Sequence, residues 1–256
     1  MDSAIITPIR LMRAIDKEFN NGFHVCYADL IEASVSYREF FKEKSLRKEF
    51  VILQYSSVEP RYLTSEYSHY QLLKSTIEYI RPNLVIIPYS DLGLNLTINC
   101  AKVLRNLLKQ TLGNVPLMGM VQGSSQNEIL ECLEQYENMD LDAIGLPSVI
   151  SPIIHRDILI GMIKTFNLDI PIYLADVWES FTEISNITSN GLHSSVLGGW
   201  STLPLRLAYQ DREIKFKGKI RPDPPPLDFY YEHIPSLIID NLEDYQHLYA
   251  GIDKEE

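Results

Sequence analysis

The residues of this sequence best able to do chemistry follow short apolar runs, and their types suit recognition of a flat heterocycle. Asp91 can accept hydrogen bonds from ring N–H groups, and the amide of Gln122 can both donate and accept. Gly145 leaves its backbone open to a ligand, and Tyr55 and Trp200 offer aromatic faces for stacking. Together these groups predict a site for a purine-like ligand.

Each of these residues also has a structural interpretation. Asp91 would serve equally as a cap for the helix near Leu94, Gln122 as a partner for loop backbone, and Trp200 as core. Order and spacing favour the functional interpretation, since Val121-Gln122-Gly123 and Ala143-Ile144-Gly145-Leu146 end consecutive apolar runs.

The elements that must position these groups are short β-branched runs alternating with longer amphipathic stretches. Such runs are typical of parallel strands buried on both faces and wrapped by helices. The predicted strands are 4–7, 23–27, 50–54, 84–88, 116–121, 142–146, 170–174 and 194–197. The pattern predicts the α/β class: a single-domain (β/α)8 TIM-type barrel over residues 1–210, whose working site lies at the carboxyl ends of the strands.

The clearest predicted helices are 36–45, 66–80, 94–112, 126–138, 152–166 and 179–189. Ser124-Ser125 is a start signal for the fourth, and Pro152 is interpreted as a first-turn proline of the fifth. Residues 211–256 are predicted to form a basic and proline-rich segment followed by a final helix packed on the barrel.

Composition narrows the class of protein. The chain has 256 residues, 45% apolar and 22% charged, which predicts an ordinary globular protein without a membrane partner. Three widely spaced cysteines predict buried thiols in a reducing, cytoplasmic setting and supply no zinc motif. The net charge of -11 argues against nucleic-acid binding by the whole surface.

Two segments carry a resemblance to a known family. Residues 118–124, Met-Gly-Met-Val-Gln-Gly-Ser, and residues 142–146, Asp-Ala-Ile-Gly-Leu, resemble the tRNA-guanine transglycosylases, and most closely their phage relatives that insert 7-deazaguanines into DNA. The strand before Asp91 and the segment Leu203-Pro204-Leu205-Arg206 extend the resemblance to about residues 50–210.

The resemblance implies a guanine or 7-deazaguanine base as ligand. No cofactor is expected, and no metal either, because no cysteine follows Cys132 to supply the zinc motif of the tRNA enzymes. Asp91 would recognise the guanine edge, while Gln122, with Gly123 at the same strand end, and the Gly145 backbone would contact its carbonyl side. Leu146 would line the pocket. The family's reaction is attack by an aspartate on the sugar C1′, expulsion of guanine and capture of the intermediate by a deazaguanine.

The sequence departs from the family where the carboxylates should stand. Trp200 occupies the nucleophile position, and Gln54 or Tyr55 the position of a second aspartate. Either the nucleophile has moved, with Asp176 the best candidate and Glu59 a weaker one, or the chain is a non-catalytic homologue. Asp176 also has a structural interpretation as a helix cap.

Partner predictions follow from charge. A basic segment interleaved with Phe216 is predicted to contact a nucleic-acid backbone, of DNA rather than tRNA, and is otherwise a solvated hairpin: Arg212, Lys215, Lys217, Lys219 and Arg221. A second basic group is predicted to be a solvated helix face: Arg38, Lys42, Lys44, Arg47 and Lys48. A non-catalytic homologue would pair with a second copy or an active homologue, and an unrelated barrel enzyme of small-molecule metabolism stays an alternative.

Overall fold

Eight parallel strands form the core of the computed structural model, which describes residues 2–19, 21–55, 66–89, 93–165, 170–175, 182–210, 227–230, 232–233 and 235–250. The strands are β1 Asp2–Ile5, β2 His24–Tyr27, β3 Val51–Gln54, β4 Leu84–Ile86, β5 Leu117–Met120, β6 Ala143–Pro147, β7 Ile172–Ala175 and β8 Val196–Ser201. Each strand from β2 to β7 pairs with the strand that follows it in the chain, and β8 also pairs with β1. The chain is therefore the predicted single-domain (β/α)8 TIM-type barrel.

The barrel is completed at the seam between β1 and β2. Two hydrogen bonds cross it: the Gly22 amide donates to the Ser3 carbonyl at 3.0 Å, and the Ile5 amide donates to Asn21 Oδ1 at 2.9 Å. A Cβ on Gly22 would lie 2.6 Å from the Asp2 Cβ, so only glycine allows this close approach. A loop glycine and an asparagine side chain thus continue the sheet hydrogen bonding where the strands themselves do not pair.

Helices surround the sheet. They are α1 Met12–Glu18, α2 Ala28–Ala33, α3 Val35–Leu46, α4 Glu66–Ile80, α5 Leu94–Leu112, α6 Gln126–Asn138, α7 Arg156–Thr165, α8 Thr182–Ser189, α9 Leu203–Ala208 and α10 Ile238–Ala250. None of the helices in the described ranges is both long enough and apolar enough to cross a bilayer.

The predicted bounds of α4, α5 and α6 are confirmed, but other elements are displaced: the strand predicted at 4–7 is Asp2–Ile5, and the strand predicted at 170–174 is Ile172–Ala175. Pro152 does not open a helix, because a short 3-10 turn at Ser148–Ile150 comes first and α7 begins at Arg156. The strand predicted at 194–197 is Val196–Ser201, because His193–Ser195 forms another 3-10 turn and Gly198 and Gly199 continue as strand.

Side chains on one face of the strands fill the barrel. Residues paired across neighbouring parallel strands project to the same face, and Tyr173 and Trp200 identify the inner one because both pack against Phe23, at 5.8 and 6.3 Å between ring centroids. Following the register around the sheet gives the inner set Ala4, Val25, Tyr27, Ile52, Gln54, Leu84, Ile86, Met118, Met120, Ala143, Gly145, Tyr173, Ala175, Gly198 and Trp200.

The helices after β8 form a second core against β1. Leu205 of α9 and Leu242 and Tyr245 of α10 bury their side chains together with Ile5. The Asn241 Nδ2 donates to the Pro204 carbonyl at 3.1 Å and so joins α10 to α9. The final helix therefore covers the outer face of β1.

An ionic cluster joins β2 to α1 and α3 outside the barrel. Lys44 Nζ lies 2.7 Å from Asp16 Oδ1 and 2.9 Å from Glu49 Oε2, and His24 Nε2 lies 2.7 Å from the same Glu49 oxygen. The prediction of a solvated face was wrong for Lys44. This residue of α3 is buried, and the carboxylates of Asp16 and Glu49 neutralise its charge. Arg38 and Lys42 lie over the ring of Tyr79, and Arg47 pairs with Glu43.

The three cysteines are free and buried, as predicted. Burial raises the pKa of the Cys26 thiol far above its ordinary value, so it stays neutral and packs as a small apolar group.

Asn21 is expected to stabilise the barrel through its bond across the seam. Asn21→Leu should lower the free energy of unfolding by about 1–2 kcal/mol, because the Ile5 amide loses its acceptor. Asn21→Asp, which keeps an acceptor oxygen, should lose much less. Urea denaturation of the three proteins measures both values, and equal losses in both variants would contradict the assignment.

Stability should fall as the solution is acidified below pH 6.5. Burial lowers the pKa of His24 and outweighs its hydrogen bond to Glu49, so the unfolded chain binds the proton first and stability increases with pH across this window. The free energy of unfolding should be smaller at pH 5.5 than at pH 7.5, by at most about 1.4 kcal/mol per pH unit. In His24→Gln the difference should shrink; an unchanged difference would exclude His24 as a source.

Candidate functional site

The carboxyl ends of the eight strands share one end of the barrel, where enzymes of this fold carry their sites. Six of the predicted ligand-binding residues belong to the described part of the chain: Tyr55, Gln122, Gly123, Gly145, Leu146 and Trp200. The others lie outside it: Asp91, Asp176, Arg212, Lys215, Lys217, Lys219 and Arg221.

Gln122 has the features expected of a ligand-binding residue. It follows Met120 by two positions, so strand alternation directs it toward the barrel interior. Its side chain is 6% exposed, and no described residue supplies a hydrogen-bond partner for its Nε2. A buried amide donor without a partner loses about 1–3 kcal/mol, so its presence requires an explanation.

Helix α6 fixes the backbone that carries Gln122. The Tyr136 hydroxyl donates to the Met120 carbonyl at 2.9 Å, and the Gln122 amide donates to Cys132 Sγ at 3.5 Å. Burial raises the pKa of Cys132 to about 11, so this thiol is neutral and acts as a weak acceptor. A Cβ on Gly123 would lie 2.7 Å from the Ile129 amide nitrogen, so Gly123 lets this strand end pack against α6.

The start of α6 is capped from the same turn. Ser125 Oγ accepts from the Glu128 amide at 3.3 Å, and Glu128 Oε2 accepts from both the amide and the hydroxyl of Ser124 at 2.6 Å. This reciprocal arrangement satisfies donors on both sides of the helix start. Residues 122–125, the Gln122 turn, are thus fixed at one end by Tyr136 and Cys132 and at the other by the cap of α6.

Gly145 lies on the inner face beside Met120. Any side chain at Gly145 would overlap Met120 Sδ, so Met120 lies directly against the Gly145 backbone. Met120 therefore fills the interior beside Gly145. Leu146, the next residue, is fully buried and by alternation faces the helices rather than the interior.

Arg156 binds the ends of β6 and β7, and the sequence argument did not select it. Its Nη1 donates to the carbonyls of Leu146 and Ala175, each at 3.0 Å, and the side chain is buried. The sequence does contain a signal, because Arg156 shares its helix face with Leu159 and Ile163 at spacings of three and seven. A charged residue on an apolar helix face predicts a specific buried partner.

Trp200 lies deep in the interior. It is 2% exposed, and its ring packs 6.5 Å from that of Tyr173. The position where the resemblance places a nucleophilic aspartate thus carries a core aromatic residue without an ionisable group.

Tyr55 stacks on His69, another residue that the sequence argument passed over. The rings lie 4.3 Å apart at 12°, and neither nitrogen of the 2% exposed imidazole has a partner among the described residues. Burial lowers the pKa of His69, so the ring is neutral at pH 7. Burial also raises the pKa of Tyr55, with Asp29 contributing, so its phenol keeps its proton. The spacing of His69, Leu73 and Ile77 on one helix face was the available signal.

The described residues include no group of three histidine, cysteine or acidic side chains placed to hold a metal ion. Comparison with family models and with curated proteins found no match for this chain. A functional proposal for this chain therefore depends on the chemistry of its own residues.

Replacing His69 by phenylalanine should stabilise the free protein by about 1 kcal/mol, because two buried nitrogens without described partners are removed and the stacking on Tyr55 is kept. His155→Phe, at an exposed histidine before α7, is the matched control and should change little. Thermal unfolding measures both. A destabilised His69→Phe protein would contradict the unpartnered state of the imidazole.

Proposed function

We propose that this barrel binds guanine or a 7-deazaguanine base at the carboxyl ends of its strands. The observation that carries the proposal is the buried Nε2 of Gln122, which has no hydrogen-bond partner in the described part of the chain. A carbonyl oxygen on the edge of a flat base is the acceptor that would satisfy this donor. The resemblance of the two segments around Gln122 and Gly145 supplies the identity of the base.

The rigidity of the Gln122 turn supports a binding role. Tyr136, Cys132 and the α6 cap hold the backbone of this strand end, so ligand binding need not order the main chain that carries Gln122. Met120 packs against the Gly145 backbone, and the interior of an eight-stranded barrel accommodates side chains or one small ligand, which suits a single planar base.

Base exchange in nucleic acid, with DNA favoured over tRNA, is the reaction that the resemblance implies. The covalent step needs a carboxylate that attacks C1′ of the sugar while the C1′–N bond to guanine breaks. Trp200 cannot supply one, so the proposal assigns this role to Asp176 and backbone binding to the basic segment around Lys217.

A second candidate function is base binding without exchange, in a non-catalytic homologue that assembles with a second copy or an active homologue. The buried Trp200 favours it, because the position of the family's nucleophile is occupied by an aromatic residue of the core.

Calorimetric titration with guanine, 7-cyano-7-deazaguanine and 7-aminomethyl-7-deazaguanine tests the binding proposal. Gln122→Met should weaken affinity about tenfold or more by removing the donor, and should raise the melting temperature of the free protein. Gln126→Met, at an exposed glutamine directly after the same turn, is the matched control and should bind normally. Absence of binding by the unmodified protein would refute the proposal.

Incorporation of labelled guanine into DNA separates exchange from binding alone. The exchange proposal expects incorporation that is lost in Asp176→Asn while guanine affinity is kept, because only the nucleophile is removed. Guanine binding without incorporation into DNA or tRNA would leave the non-catalytic candidate.

A further inference from the structure

A segment from the carboxyl-terminal part of the chain lies beside the end of the barrel at which the strands finish. We call residues 227–230, with Glu232 and His233, the strap. The Ile9 amide donates to the Phe229 carbonyl at 2.8 Å, and Arg10 pairs with Glu232. The Tyr209 hydroxyl donates to the His233 carbonyl at 3.0 Å.

These attachments place the strap at the carboxyl ends of β1 and β8. Ile9 and Arg10 belong to the connection between β1 and α1, and Tyr209 follows α9, the helix that comes directly after β8. The bond from Ile9 is made by backbone atoms, so the position of the strap does not depend on the side chain at 229. The exposed Arg10–Glu232 pair adds little to it.

Phe229 meets the inner face of the barrel through Tyr27. Their ring centroids lie 5.5 Å apart at 80°, an edge-to-face contact. Tyr27 is the last residue of β2 and pairs with Gln54, which places it on the inner face. Phe229 is only partly buried, so part of its ring remains available beside Tyr27.

This aromatic pair stands across the barrel from Gln122. In a closed ring of eight strands β1 lies opposite β5 and β2 opposite β6. Gln122 follows the end of β5, and Gly145 belongs to β6. The interior of an eight-stranded barrel is only wide enough for side chains or one small ligand. A planar molecule bound to the Gln122 amide would therefore reach the rings on the other side.

From this arrangement we propose that Phe229 and Tyr27 form the aromatic wall of the base-binding site and contact the base opposite Gln122. The inference rests on the proposed function and deepens it. The wall is assembled from residues more than 200 positions apart, and its Phe229 half is brought to the barrel by the strap. The substrate class it favours is a planar heterocycle with an apolar face.

Titration of guanine into the full chain and its variants tests the wall. Phe229→Ala should raise the Kd about tenfold, and Phe229→Leu about threefold, because the aromatic contact is lost in both. The heat-capacity change of binding should also become less negative in Phe229→Ala, since less apolar surface is buried with the ligand. Tyr230→Ala, beside it on the strap and 62% exposed, is the control and should bind like the unmodified protein.

The outcomes separate this inference from the function on which it rests. Normal guanine affinity in both Phe229 variants, with binding by the unmodified protein intact, would overturn the wall alone. Failure of the unmodified protein to bind guanine would overturn both. If thermal unfolding shows that Phe229→Ala does not fold, Phe229→Leu decides, because it retains apolar packing and the backbone bond from Ile9.

Discussion

Closure of the sheet between β1 and β2 is the constraint on which the rest of the molecule depends. A sheet of eight strands encloses an interior only if its two edge strands meet. Here the edge strands are β1 and β2, and they meet through the Gly22 amide and the Asn21 side chain. Because the sheet is closed at this seam, successive side chains of each strand alternate between a packed interior and an exterior that faces the helices. The positions of Gln122, Trp200 and Tyr27 all follow from this division.

Side chains from the surrounding helices fix the carboxyl ends of several strands. Tyr136 and Cys132 reach from α6 to the end of β5, and Arg156 reaches from α7 to the ends of β6 and β7. Each of these side chains satisfies or orients backbone groups where the parallel ladder stops and the strands diverge. Gln122 differs from them, because its backbone is held while its amide Nε2 is left without a described partner. The binding role proposed for Gln122 rests on this contrast between a fixed backbone and an unsatisfied side chain.

Local patterns predicted the fold because each strand and helix of a barrel is a short, repetitive unit with its own signal. Helix α6 was predicted to its last residue, since Ser125, Glu128 and the apolar positions of one face agree. The start of α7 was predicted wrongly. Ser151-Pro152 resembles a helix start, but it follows a 3-10 turn that the spacing of apolar residues does not predict. Gln122 was accessible to sequence reasoning because it ends a strand. Phe229 was not, since its place beside Tyr27 depends on a tertiary contact across 202 positions of the chain.

The packing of α10 on β1 has a consequence for the order in which the protein acquires its structure during synthesis. The outer face of the first strand is covered by Tyr245 and Leu242 of the last helix, and Asn241 ties that helix to α9. A nascent chain emerging from the ribosome therefore exposes Ile5 until residues 238–250 have followed it out. The outer face of β1 therefore acquires its complete cover only once residues 238–250 have been synthesised.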